Sequence, residues 1–306
     1  MARIVKSLCI AAVLALIASA PSRAAAPAVI VSSKLSGESA LIGEMIGMIL
    51  KGAGIPTVDR LRLGATPVVR RALLDGEVDL YVDYTGNGAI FFDMPSNPAW
   101  KSFRRGYQLG ARLDLERHRI VWLTPAPASD TWALAVRRDV AAKYHLRTMS
   151  DFARWVRGGG KAVLACSAEF ANAGTLRSLE RTYGFRLRSD QLIVLAGGET
   201  AAMIAAAAAR TDGTNTAMVY STDGGIAAAD LIVLKDDRHV EPVYAPVPLI
   251  REAVLREYPA IAARVKPLME SLDRETLQRL NERMQVDGEP LQAVARDYLR
   301  RKGLLR

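Results

Sequence analysis

The chain has 306 residues, half of them apolar, and a formal net charge of +9. That much apolar material can fill two lobes of ordinary domain size. The basic clusters Arg60-Leu61-Arg62, Arg104-Arg105 and Arg300-Arg301-Lys302 are short and carry no interleaved aromatics, so they read as solvated faces and no nucleic-acid partner is expected.

Residues 1–24 read as a secretory signal peptide. Arg3 and Lys6 form a positive start, Leu8 to Ala20 an apolar stretch too short to span a bilayer, and Ser22-Arg23-Ala24 the small-residue exit. Cleavage there would start the mature chain at Ala25, place it in a periplasm and lower the net charge to +6. It would also remove Cys9, leaving Cys166 without a disulfide partner, so the fold must rest on its core.

Ala28 to Val31 follows as a first strand, then a helix from Glu38 to Gly52 with Leu41, Ile42, Met45, Ile46 and Ile49 at helical spacing. Leu61-Arg62-Leu63 is a short strand. Thr66 as N-cap and Pro67 open a helix that Asp75-Gly76 closes, and Val78 to Val82 is the next strand. This β-α-β-α-β order predicts a parallel sheet with right-handed crossovers. A helix over Trp100 to Asp114 and the apolar Val121 to Leu123 lead into Pro125-Ala126-Pro127-Ala128, a stiff connector between lobes.

A second α/β unit begins at Trp132 to Val136. Ser150 to Val156, Thr175 to Tyr183 and the Ala-rich Thr200 to Arg210 read as helices, and Ala162 to Ala165, Gln191 to Leu195 and Ala217 to Tyr220 as strands. From Leu249 onward the pattern is helical: Ala253 to Tyr258, Ala260 to Leu272, Asp273 to Gln285 and Pro290 to Lys302.

Two strand-like segments run into small-residue turns that carry an aromatic and a hydroxyl, Val78 to Gly86 and Ala217 to Gly225. Ligands of α/β proteins collect beyond the carboxyl ends of strands, where glycine lets the backbone come close. Two such turns far apart in the chain predict a site assembled from both lobes. Its ring and hydroxyl candidates are Tyr84 with Thr85, Thr131 with Trp132, Thr222, and Tyr244. Electron-rich rings attract a cation that has no N–H to donate.

Enzyme signatures are missing. His118, His145 and His239 lack metal spacing, there is no G-x-S-x-G elbow, and Gly158-Gly159-Gly160-Lys161 lacks the other residues of a phosphate loop. No catalytic residue, metal or cofactor is expected.

Lys34-x-x-x-Glu38 with Gly43-Glu44-Met45, Leu63-Gly64-x-Thr66-Pro67, Asp83-Tyr84-Thr85-Gly86 and Trp122 through Ala128 together resemble the osmoprotectant-binding proteins of ABC importers. Thr131-Trp132, Ala168-Glu169-Phe170, Leu195 through Gly198, Thr222-Asp223-Gly224, Tyr244-Ala245-Pro246 and Arg251 through Pro259 extend the resemblance over the mature chain. The resemblance implies an α/β, type II periplasmic binding protein with two lobes, each a sheet flanked by helices, and a cleft that closes on the ligand. Lobe 1 would comprise 25–128 and 224–306, and lobe 2 would comprise 129–223.

By position, Tyr84, Trp132 and Tyr244 match aromatic cleft residues and Thr85, Thr131 and Thr222 match polar ones. Lys34, Ser39, Asp130, Glu169 and Thr200, in the same motifs or at departures from them, complete the candidate ligand-binding set. The departures are Glu38-Ser39 where relatives often have Glu-Gln, Ser129-Asp130-Thr131 where they often have Asn-Asn-Thr, and Glu199-Thr200 in place of a second-lobe tyrosine. The implied ligand is glycine betaine or a related quaternary amine. Choline, carnitine or a modified amino acid, and an exported enzyme on the same fold, are the alternatives. The implied partners are a membrane permease and its ATPase, with the binding protein itself a monomer.

Overall fold

A computed structural model describes residues 27–172, 174–195 and 200–305. The expected signal segment lies outside the described residues, as do Ala196, Gly197, Gly198 and Glu199.

The apolar runs of the first part form β1 (Val29–Lys34), β2 (Thr57–Gly64) and β3 (Leu80–Tyr84), with β1 parallel to both neighbours. The helix Gly37–Gly52 crosses between β1 and β2 and buries Leu41, Ile42, Met45, Ile46 and Ile49, the residues its 3.6-residue period places on one face. The helix Thr66–Asp75 starts one residue earlier than its N-cap pattern predicts, with Ala65 in the cap position, and stops at Gly76 in the left-handed region.

The expected all-parallel sheet is mixed. β4 (Ile120–Trp122) and β10 (Pro246–Arg251) complete it in the order β2-β1-β3-β10-β4, and β10 runs antiparallel to both β3 and β4. The first half of β10 carries two prolines, Pro246 and Pro248, that argue against a central strand, and its Leu249–Arg251 end lies where a helical segment was expected. The prolines are tolerated because both face the β4 side. There the carbonyls of Pro246 and Pro248 accept from the N–H groups of Ala126 and Leu123, so that side takes donors and needs none from the prolines. The alternate residue Val247 pairs with Asp83 of β3, and Leu249 pairs with Tyr81 of β3 and Trp122 of β4.

The second sheet has β5 (Trp132–Arg137), β6 (Leu164–Ser167), β7 (Leu192–Leu195), β8 (Thr216–Tyr220) and β9 (Leu231–Val233) in the order β7-β6-β8-β5-β9. β9 is too short for its period to register in the sequence. It corrects the expected boundary at 223/224: β9 pairs with β5, and Ile226, Leu231, Leu234 and Val240 lie in the second lobe's core. The first crossing stays where the prolines put it, since Ala126 and Ala128 pack in the first lobe. The second crossing falls between Val240 and Ala245.

The C-terminal helices return to the first lobe. Ile261, Val265 and Leu268, Leu277 and Leu280, and Val294 and Leu299 share one core with the helix Gly37–Gly52. The crossings are tied side by side: Asp130 N–H donates to the Tyr244 carbonyl (2.9 Å), and Tyr244 N–H to Ser129 Oγ (3.0 Å). This register brings the end of β3, the start of β5 and the end of β8 to one place.

Candidate functional site

A cavity of about 730 Å³ opens between the lobes at those strand ends. Lys34, Tyr84, Asp130, Thr131, Trp132, Thr222 and Tyr244 from the expected set all line it. Trp132 pairs with Tyr220 across the β5–β8 ladder, their ring centroids 6.3 Å apart, and the edge of Phe170 supports Trp132 from behind at 5.9 Å. Tyr244 lies flat on Gly86: a Cβ there would fall 2.6 Å from the ring, so this approach requires glycine.

Four expected residues serve elsewhere. The buried Ser39 hydroxyl accepts from Lys34 N–H (3.1 Å) and donates to the Val82 carbonyl (3.1 Å), so it fastens helix to sheet. Thr85 Oγ1 donates to Val243 O (2.7 Å) and accepts from Ala245 N–H (3.1 Å), pinning the second crossing. Glu169 is exposed on a short helix beside the cavity, and Thr200 is buried at the head of its Ala-rich helix. None of the four lines the cavity.

Tyr84 also departs from the expected ring wall. Only 4 % of it is exposed, the Lys34 ammonium stands 4.0 Å from its ring centroid, and its hydroxyl donates to Glu38 Oε1 (2.9 Å). Its ring face is therefore taken by a lysine, whose charge is also matched by buried Asp83 at 3.2 Å. The rings left to a ligand are Trp132, Tyr220 and Tyr244.

The polar floor of the cavity joins the lobes. Asn281 Nδ2 donates to Glu38 Oε2 (2.9 Å) and to the Thr222 carbonyl (2.8 Å), while Thr222 Oγ1 donates to Asp130 Oδ1 (2.7 Å). Gln278 Nε2 donates to Ser221 O (2.8 Å) and Gln285 Oε1 accepts from Gly224 N–H (3.1 Å), so one face of the helix Arg274–Gln285 clamps the 221–224 turn. At Gly224 a Cβ would fall 2.2 Å from the Glu282 nitrogen, so only glycine lets turn and helix meet.

Burial, and then the charge of Asp130, push the Glu38 carboxyl up to about 8. Burial also raises Asp130, against the hydrogen bond from Thr222 and the charge of Lys34. Glu241, in the second crossing, is raised to about 7 by burial and then by Asp236. Carboxyl groups outnumber ammonium groups on these walls, since Glu38, Asp130, Asp223 and Glu241 face a single lysine. The helices beginning at Gly37, Thr66 and Thr175 start at the cavity rim, and no side chain caps any of them. Their first N–H groups and dipoles favour an anion.

Sequence reasoning left Glu38, Tyr220, Glu241, Asn281 and Gln285 out of the site. Tyr220 ends the strand within the second strand-turn segment and Glu38 stands in a quoted motif, so both were within reach. Asn281 and Gln285 lie in an amphipathic helix whose pattern reveals its buried face but not its partner.

These features define a two-lobed solute-binding protein of the type II periplasmic fold. The chain belongs to the family described as the substrate binding domain of the ABC-type glycine betaine transport system, whose model matches residues 27–301. It is 49% identical over 286 residues to the glycine betaine-binding protein YehZ of Escherichia coli (strain K12), covering 93% of each chain. It is 28% identical over 314 residues to a glycine-betaine-binding protein of Pseudomonas aeruginosa, covering 100% of this chain and 96% of the relative. The solved structure of apo YehZ from E. coli superposes with a TM-score of 0.87 at 48% identity, over 91% of this chain and 100% of that one.

Proposed function

We propose that this chain is the exported, monomeric solute-binding subunit of an ABC importer. It captures glycine betaine or a related quaternary amine between its lobes and delivers it to a membrane permease driven by an ATPase. The observation that carries the ligand reading is the wall chemistry: one cavity is lined by rings, carboxylates and uncapped helix starts. A quaternary ammonium has no N–H and is held by ring faces, each worth about 1–2 kcal/mol when desolvated. Trp132, Tyr220 and Tyr244 alone fall short of the roughly 8 kcal/mol of micromolar binding. Glu38 and Asp130 add charge attraction, and the helix starts are suited to a ligand carboxylate.

A thermal-shift screen tests this reading. Betaine, choline and carnitine should raise the melting temperature, a ligand at 100-fold its Kd adding about 2.7 kcal/mol. Glycine and neutral sugars should not. A screen in which no quaternary amine shifts the transition would contradict it.

A further inference from the structure

We propose that the helix Arg274–Gln285 latches the two lobes: it positions the second-lobe turn 221–224 and so sets how tightly any amine is held, without choosing among amines. The effect on affinity rests on the amine-binding reading. The effect on the shape of the empty protein does not.

Helix and turn belong to different cores. Leu277 and Leu280 of the helix lie in the first lobe's core, and Ile226, two residues past the turn, lies in the second's. Gln278, Asn281 and Gln285, three and four residues apart, share one face of the helix. All three bond to the turn's main chain. The Ser221 and Thr222 carbonyls each accept an amide N–H at 2.8 Å, and Gly224 N–H donates to Gln285 Oε1 at 3.1 Å. On its other side the turn is fastened to the first crossing. Ser221 N–H donates to the Thr131 carbonyl (2.9 Å), the Ser221 hydroxyl to the Ser129 carbonyl, and Thr222 Oγ1 to Asp130 Oδ1 (2.7 Å). The turn therefore sits between the crossing and the helix.

Two crossings alone leave the lobes free to swing as a hinge. The helix adds a third attachment, and swinging the lobes apart carries the turn off it. Water replaces amide-to-backbone bonds when they part, so each shifts the balance only about two- to tenfold and the latch can release. At Gly224 backbone meets backbone, and a Cβ 2.2 Å from the Glu282 nitrogen has no flexible side chain to push aside. Asn281 and Gln285 line the cavity, but Gln278 and Gly224 do not, so these two act on a ligand only through the apposition of the lobes. A ligand held by the latched form alone has its apparent Kd divided by the latched fraction.

Calorimetric titration of choline and betaine, with small-angle X-ray scattering of the ligand-free proteins, tests the latch. Gln278→Ala should weaken both amines by one common factor, about two- to tenfold. Gln278→Glu, equal in size but with no proton to donate when ionised, should do the same. Gly224→Ala should weaken both further and give the empty protein a larger radius of gyration than the wild type. If Gly224→Ala does not fold, the two Gln278 variants decide. Wild-type affinity in both of them, or a changed choline-to-betaine ratio, overturns the latch. So does an unchanged radius in a folded Gly224→Ala. If neither amine binds the wild type, the amine reading falls, and the scattering comparison still decides the latch.

Discussion

Asp130 lines the cavity, its Oδ1 held by the Thr222 hydroxyl. It attracts any quaternary ammonium but repels the carboxylate of a zwitterion. A carboxylate pair about 8 Å apart at an effective dielectric of about 20 repels by about 2 kcal/mol. Asp130→Asn should therefore lower the choline-to-betaine affinity ratio by roughly an order of magnitude, read from titrations of both ligands against both proteins. An unchanged ratio would remove Asp130 from ligand discrimination. At this scale the sequence revealed residue types better than their use. Thr85 and Ser39 sit beside cavity-lining neighbours, yet their hydroxyls are spent on the backbone of the crossing and of β3. Tyr84 shows a ring to sequence reasoning, but only the fold shows Lys34 lying on it.

Secondary elements with long periodic faces were legible in the sequence. The helices Gly37–Gly52 and Arg274–Gln285 follow from their spacing, and β3 and β8 from their apolar runs. β9 and β10 were hidden for different reasons. β9 has three residues, fewer than a period needs to show itself, and β10 carries two prolines whose missing donors only the adjoining segment, Leu123 to Ala126, excuses. The second crossing was misplaced as a result, because β9 extends the second lobe past the turn that looks like its end. The clamp of the helix Arg274–Gln285 on the 221–224 turn was likewise invisible, since Gln278, Asn281 and Gln285 form an ordinary polar stripe until a partner is seen.

For the whole molecule, three raised carboxyls that line one cavity, Glu38, Asp130 and Glu241, make the empty protein sensitive to pH. Glu38 titrates near its ordinary 4.5 when unfolded and at about 8 when folded, so between those values the folded chain binds more protons. Its contribution is fully present below about pH 4.5 and is lost as pH rises through about 8, and Glu241 acts in the same direction up to about 7. Chemical denaturation of the ligand-free protein should show stability falling over that window, with Glu38→Gln flattening the fall. Stability that rises throughout it would contradict the burial of these groups. Asp139, Asp151, Asp237, Asp273 and Glu289, all lowered, act in the opposite direction but at lower pH. The reading proposed above is that both lobes close one cavity around a quaternary amine, with Trp132 and Tyr220 as its second-lobe rings. The most direct test is a calorimetric titration of the better-bound amine into the wild type and into Trp132→Ala. One saturable site per chain is expected in the wild type and a loss of about 1–2 kcal/mol in the variant, the scale of one desolvated ring contact. Equal affinities in the two proteins, with both folded, would contradict it.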